Sequence, residues 1–389
     1  MLSRRAGFLG LIMKILADEN MPLAQALFSQ FGEVTLKHGR KITADDLIDV
    51  DVLMVRSITK VNADLLAKAQ KLRFVGTATA GFDHVDTKLL AAKGIAFTNA
   101  QGCNAASVGE YVLSSLLFWC EKYNLNPKEL SLGVIGAGCT GSEVIKRAQA
   151  LGFTLKICDP LKQAQDPKRC ASYVSYAEAL NADVVTFHVP LERTGPYATY
   201  HMLDDKLLSD PAFKPRFIIN ASRGEVIDDF ALLEALKRNP ELHLIKDVWE
   251  GEPTINCQEL IRYADIATPH IAGYAFEGKC RGTYMLYEKL AQMCTAQPVE
   301  FASLLKAADI TEVHLTEPLS LDLIRRLVHL VFDVRRDDAA FRLGFKDGQG
   351  FDALRKNYKE RRELWSLKVT GAQTKAEAEL LKALGFSVV

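Results

Sequence analysis

The sequence carries no surplus of either charge: 48 basic residues are balanced by 48 acidic ones in 389. A dedicated nucleic-acid binder usually shows a basic excess, so no nucleic-acid partner is expected. Long hydrophobic runs are also missing. No apolar stretch approaches the roughly 18 residues that cross a bilayer, so no membrane partner is expected either. Cysteine is present eight times, but never at C-x-x-C spacing and never with histidine at a zinc-ligand interval. The expectation is therefore no metal site and no disulfide framework, with reduced thiols in a cytoplasmic protein. Disorder is excluded by composition, because 48% of the residues are hydrophobic and the net charge is zero.

Residues 1–12 hold two arginines and a short apolar stretch. The apolar part is too short for a secretory signal and no small-residue cleavage site follows. We read this segment as an N-terminal extension or a misassigned start, with Met13 as the functional beginning.

From residue 13 to about 295, short apolar segments alternate with helical patterns. Lys14–Ala17, Val52–Val55, Phe74–Thr77 and Ile95–Thr98 read as strands, as do Leu132–Ile135, Leu155–Cys158, Val184–Val189, Phe217–Asn220 and Leu244–Val248. Helical patterns fall at Pro22–Phe31, Ala63–Ala69 and Lys88–Ala92, and a longer one runs from about Ala105 to Tyr123. This alternation predicts an α/β fold with parallel sheets covered on both faces. The expected organisation is two Rossmann-like doubly wound domains and a small α+β domain. Residues 13–108, completed by 273–298, form the first; 109–272 form the second, a dinucleotide-binding domain; 299–389 form the third. Within the third, the charged runs Arg335–Asp338 and Arg355–Arg362 read as a solvated face, with a subunit interface or an active-site contribution as alternatives.

Gly136-Ala-Gly138-Cys-Thr-Gly141 is a G-x-G-x-x-G turn. Alone it is a weak signal. Here it follows an apolar strand, opens a helix, and precedes Asp159 at the end of the next strand. Gly136 permits the tight turn, Gly138 lets a pyrophosphate approach the backbone, and Gly141 brings helix and strand together. Free N–H groups at the helix start would face the phosphates. Asp159 suits the ribose hydroxyls and would repel a 2′-phosphate, so the expected cofactor is NAD rather than NADP. Cys139, in the first turn of that helix, reads as a small space-filling residue or, alternatively, as a redox-sensitive thiol.

Three segments beyond strand ends carry the remaining chemistry: Asn220-Ala-Ser-Arg223-Gly224, Asp247 to Pro253, and Thr268 to Tyr274. Oxidising a 2-hydroxy acid needs a base for the hydroxyl proton, a cation for the carboxylate, and an acid that orients the base. His270, Arg223 and Glu252 supply these types. Imidazole titrates near neutrality and can both take and return a proton, and a guanidinium grips a carboxylate with a two-pronged fork. Taken singly, each has a bland reading: a structural histidine, a surface ion pair, a carboxylate capping the turn before Pro253.

Together these residues resemble the D-isomer-specific 2-hydroxyacid dehydrogenases, whose Arg–Glu–His triad matches Arg223, Glu252 and His270. The likeness runs from about residue 13 to the end. It is carried further by Asp18–Pro22, Met54–Ser57, Gly76–Gly81, Pro269–Tyr274 and the run Leu327–Asp338, the last lying in a domain that generic members lack. The resemblance implies NAD-dependent oxidation of a small phosphorylated hydroxy acid by a cytoplasmic homodimer paired through the C-terminal domain. It implies substrate contacts from Ser57, Thr79 and Tyr274. Cofactor contacts would come from Asp159, Ala221, Ser222, Arg223, Asp247 and Gly273. For a substrate phosphate, the candidates are Arg56, Lys60 and a basic residue of the C-terminal run. Val189 departs from the pattern, which often has Thr there, so a side-chain contact to the cofactor is lost. A sibling dehydrogenase acting on phosphoglycerate, glycerate or lactate would share the triad, and a non-catalytic NAD-sensing dimer is the alternative from another class.

Overall fold

The computed structural model describes residues 12–389, so the reading of residues 1–12 as an extension lies almost wholly outside the described residues. The chain divides into two compact units. One takes the residues up to Asn104 together with Phe276–Ala307; the other takes Ala105–Ala275 with Ala308–Val389. Among the described residues, no helix is long and apolar enough to cross a membrane.

The first unit is built on strands β1 (Met13–Asp18), β2 (Gly32–Lys37), β3 (Val52–Val55), β4 (Phe74–Thr77) and β5 (Ala96–Asn99). They pair in parallel in the order β2-β1-β3-β4-β5. Side chains of a strand alternate between faces, and here both faces are apolar. Ile15, Ala17, Val52, Met54 and Phe74 pack with Leu286, Tyr287 and Leu290 of the helix Phe276–Met293. Leu16, Leu53, Val55 and Val75 join Leu47, Leu66 and Leu90 on the other side. Coverage of both faces is why these strands read as unbroken apolar runs. The edge strand β2 mixes half-buried and exposed residues, none of them fully buried, and the sequence pattern missed it. The helix expected at Ala63–Ala69 is a single 3-10 turn, Leu65–Lys68.

The second unit holds β6 (Ser131–Ile135), β7 (Thr154–Cys158), β8 (Val184–Phe187), β9 (Phe217–Asn220), β10 (His243–Lys246) and β11 (Ile266–Ala267). All pairs are parallel, in the order β11-β10-β9-β8-β6-β7. The chain runs from β6 outward to β7, then returns to β8 on the other side of β6. That reversal is the switch point where α/β sheets open a ligand crevice at the carboxyl ends of their strands. The helix Ala105–Lys122 is buried nearly all round, as expected for a core helix. Its Trp119 stacks on Phe217 with ring centroids 4.7 Å apart. Truncating such a side chain to alanine costs about 3–5 kcal/mol.

Residues 308–389 share this unit. A small parallel sheet, β12 (Glu312–His314), β13 (Lys368–Thr370) and β14 (Ser387–Val388), has the order β12-β13-β14. Ile324, Leu327, Val328, Phe332, Leu364 and Leu381 belong to the same apolar cluster as Val112, Leu116 and Trp119. The charged runs are not simply a solvated face. They are parts of two helices, Val334–Gly344 and Gly348–Lys356, and the loop beyond them. Asp338 accepts from the Ala267 N–H at 2.7 Å, and Arg342 donates to the carbonyls of Ile261 and Ala264, both at 2.7 Å. Asp338 thus serves β11 at the end of the sheet, and Arg342 serves carbonyls at the end of the short helix Leu260–Tyr263.

Candidate active site

The glycine turn leaves β6 as expected. Gly136 takes φ 90°, a conformation that L side chains rarely adopt, and a Cβ on Gly141 would sit 1.9 Å from the Gly136 carbonyl oxygen. Side chains are therefore barred at both positions by geometry. Gly138 differs: a Cβ there would meet nothing within 4 Å. The backbone at Gly138 thus faces open space, and the helix Cys139–Leu151 starts there without a side-chain cap. Uncapped N–H groups and the positive helix end suit a pyrophosphate. Asp159 lies beyond β7 and ties the turn together, accepting from the Ala137 N–H at 2.9 Å and the Lys162 N–H at 3.0 Å. The residues present therefore fit a dinucleotide.

After β8, His188 is buried and hydrogen-bonded to the Thr186 hydroxyl at 2.8 Å. Burial pushes its imidazole down to about 3, so it is neutral and structural. Val189 follows it, half-buried and packed with the core beneath this loop.

The three residues expected to carry the acid–base chemistry, Arg223, Glu252 and His270, lie in this same unit. Asn220 at the end of β9 shapes the arginine loop: its Oδ1 accepts from the Ser222 N–H (3.1 Å) and hydroxyl (2.9 Å), and its Nδ2 donates to the Arg223 carbonyl at 3.0 Å. Ala221 and Arg223 are partly exposed while Ser222 is buried. Among the described residues the Arg223 guanidinium makes one hydrogen bond, from Nη1 to the Ser222 carbonyl at 2.8 Å. Gly224 lies so close to the backbone of Trp249 that a Cβ would stand 2.1 Å from its carbonyl. That contact fixes the arginine loop against the segment carrying Glu252.

Glu252 Oε1 accepts from the Trp249 N–H at 2.6 Å, and Oε2 lies 2.7 Å from His270 Nδ1. Burial would raise the Glu252 carboxyl. The charge and hydrogen bond of His270, the Trp249 N–H and the charge of Arg355 outweigh it and hold the group below its ordinary value. Glu252 is thus a carboxylate, and it orients the ring through Nδ1. The His270 side chain is 34% exposed, and Nε2 has no partner among the described residues. His270 also has φ 57°, left-handed for a non-glycine residue, with its N–H donating to the Asp247 carbonyl at 2.6 Å. Such a conformation costs of order 1–3 kcal/mol and persists only where surroundings enforce it.

Asp247 supplies that enforcement. It is buried beyond β10, and its carboxylate accepts from the Thr268 hydroxyl (2.6 Å), the Ile271 N–H (2.8 Å) and the Ala272 N–H (2.9 Å). Tyr111 shares a hydrogen bond with the same Thr268 hydroxyl at 2.8 Å. The Asp247 carboxylate therefore shapes the 268–272 loop, a role the sequence did not disclose. Gly273 and Tyr274 complete the turn, and Tyr274 donates its N–H to the Ile271 carbonyl at 2.8 Å.

Ser57 and Thr79 belong to the first unit, just past the carboxyl ends of β3 and β4. Ser57 is exposed. The Thr79 hydroxyl donates to the Gly81 carbonyl at 2.8 Å and lies 2.8 Å from the Thr77 hydroxyl.

Residues 119–272 match the D-isomer specific 2-hydroxyacid dehydrogenase, NAD binding domain family, and residues 304–385 match a domain family of unknown function. The chain belongs to the D-isomer-specific 2-hydroxyacid dehydrogenases. An erythronate-4-phosphate dehydrogenase from Tolumonas auensis is 52% identical over 97% of this chain and 99% of its own. Another from Aeromonas salmonicida is 49% identical over 97% and 99%. Within the family, this chain's place is with the erythronate-4-phosphate dehydrogenases. Among solved structures, a D-lactate dehydrogenase from Aquifex aeolicus matches 72% of this chain and 95% of its own, with a TM-score of 0.57 and 24% identity, a likeness of fold.

Proposed function

We propose that the chain catalyses NAD-dependent oxidation of 4-phospho-D-erythronate to (R)-3-hydroxy-2-oxo-4-phosphooxybutanoate, a step of pyridoxal 5′-phosphate synthesis. The observation that carries the chemistry is the 2.7 Å pairing of His270 Nδ1 with the Glu252 carboxylate, which leaves Nε2 unpartnered among the described residues. Nε2 takes the proton of the C2 hydroxyl. Glu252 fixes the ring orientation and stabilises the imidazolium that forms. Arg223 holds the C1 carboxylate with its fork and draws electron density toward the developing carbonyl. NAD, when bound, supplies the acceptor for the hydride that leaves C2. Gly136, Gly138 and Gly141 would hold its pyrophosphate, Asp159 its ribose, and the loops at Ala221–Arg223 and Gly273, the second shaped by Asp247, its nicotinamide end. Ser57, Thr79 and Tyr274 are assigned to substrate.

We further propose a homodimer paired through residues 299–389, in a cytoplasmic setting. The exposed apolar side chains Leu330 and Leu343 of that region support the first, and a cysteine spacing without the pattern of a disulfide framework supports the second. The function is tested by following NADH formation with 4-phospho-D-erythronate, D-erythronate, 3-phosphoglycerate, glycerate and lactate. The highest kcat/KM is expected for 4-phospho-D-erythronate. Preference for an unphosphorylated acid would overturn the substrate, and absence of NADH with every acid would overturn catalysis.

A further inference from the structure

We propose that Arg355 recognises the phosphate end of the substrate and so sets the preference for a phosphorylated hydroxy acid. This rests on the proposed reaction and names the residue that makes it selective. Such a substrate carries two anionic ends. Arg223 answers the carboxylate, so a second cation is required for the phosphate.

Arg355 lies in the last turn of the helix Gly348–Lys356. That helix falls in the matched segment 304–385, outside the NAD binding domain at 119–272. Its Nη2 donates to the Tyr274 hydroxyl at 2.8 Å, and its guanidinium stands 5.4 Å from the Tyr274 ring centre and 5.9 Å from that of Phe351. Tyr274 is four residues from His270, on the same loop. The charge of Arg355 also reaches the Glu252 carboxylate, although the two form no ion pair. The positive charge is therefore brought to the catalytic pair and left without a carboxylate of its own among the described residues. Its Nε is buried and has no hydrogen-bond partner among the described residues. A guanidinium held by an aromatic hydroxyl on one prong, with a further N–H unpaired, is prepared for a two-pronged grip on phosphate oxygens.

Three other arginines of the C-terminal segment are used differently. Arg361 is buried under the Phe332 ring at 3.8 Å, and its Nη2 donates to the carbonyls of Ser107 and Ala272 at 2.7 and 2.6 Å. It braces backbone. Arg335 and Arg342 are paired with Asp333 and Asp338 at 2.7 and 2.8 Å.

The test compares wild type, Arg355→Met and Arg355→Lys in two assays. In the first, the ratio of kcat/KM for 4-phospho-D-erythronate to that for D-erythronate falls at least 30-fold in Arg355→Met, mainly through KM for the phosphorylated acid. Arg355→Lys, which keeps the charge but loses the fork, recovers part of the ratio. In the second, calorimetry on the NAD-loaded protein shows inorganic phosphate binding to wild type and at least tenfold more weakly to Arg355→Met. An unchanged selectivity ratio, with both substrates impaired equally, would overturn the proposal and leave Arg355 as a positioning residue for Tyr274. Phosphate binding that is absent in wild type, or indifferent to Arg355, would overturn it too. Failure of the broader reading is distinct: wild type would be inactive on 4-phospho-D-erythronate while phosphate binding still depended on Arg355.

Discussion

His270 Nδ1 and Glu252 Oε2 lie 2.7 Å apart, and the other oxygen of the same carboxylate is held by the Trp249 N–H at 2.6 Å. A carboxylate pinned at both oxygens cannot swing, so the imidazole it holds is fixed in plane and tautomer. The carboxylate sits on the side of the ring away from Nε2, which has no partner among the described residues.

Glu252→Gln keeps the shape of this contact and removes its charge. We expect kcat to fall roughly 10²-fold or more, with KM for NAD changed only a few-fold, because a neutral amide orients the ring less well and does not stabilise its cation. Steady-state kinetics across pH check this. An undiminished kcat would mean that Glu252 only caps the turn before Pro253.

Asp159 should govern the choice of dinucleotide. Like charges about 4 Å apart near a protein surface cost on the order of 4 kcal/mol, so the carboxylate opposes a 2′-phosphate. Asp159→Ser is expected to raise the kcat/KM ratio of NADP to NAD at least tenfold. Because Asp159 also accepts from the Ala137 and Lys162 N–H groups, some loss of thermal stability should accompany it.

Stability should depend on pH through Glu110. Burial, reinforced by the Glu363 carboxylate, pushes this group up to about 8 from an ordinary 4.5. Between those values the folded chain holds a proton that the unfolded chain has released, so folding takes up a proton. The contribution of Glu110 is therefore most favourable below about pH 4.5 and is lost as pH rises through 8. Glu110→Gln should narrow the difference in denaturant midpoint between pH 5 and pH 8. An unchanged difference would remove Glu110 as its source.

Pairing through the C-terminal region is checked by sedimentation. Wild type should have twice the 43.1 kDa chain mass. Leu343, 84% exposed in the helix Val334–Gly344, is a place to disturb pairing. Leu343→Glu should shift the population toward monomer, and a monomeric wild type would contradict the pairing.

Much of this was legible in the sequence because the signals were local. Unbroken apolar runs such as Val52–Val55 and Phe217–Asn220 locate doubly covered strands, and glycines at 136, 138 and 141 with an acid at 159 mark one turn. The edge strand Gly32–Lys37 was hidden because an exposed edge has no apolar signature. The helices Val334–Gly344 and Gly348–Lys356 read as charge runs because their polar side chains serve distant backbone groups, as Arg342 serves Ile261 and Ala264. The buried role of Asp247 and the reach of Arg355 to Tyr274 depend on contacts between segments far apart in sequence, which no local spacing encodes.

The most direct test of the whole account is turnover of 4-phospho-D-erythronate by His270→Ala, followed as NADH formation from pH 6 to 10. Proton transfer to Nε2 predicts a loss of roughly 10²–10⁴ in kcat with NAD still bound. Near-wild-type turnover across that range would contradict it.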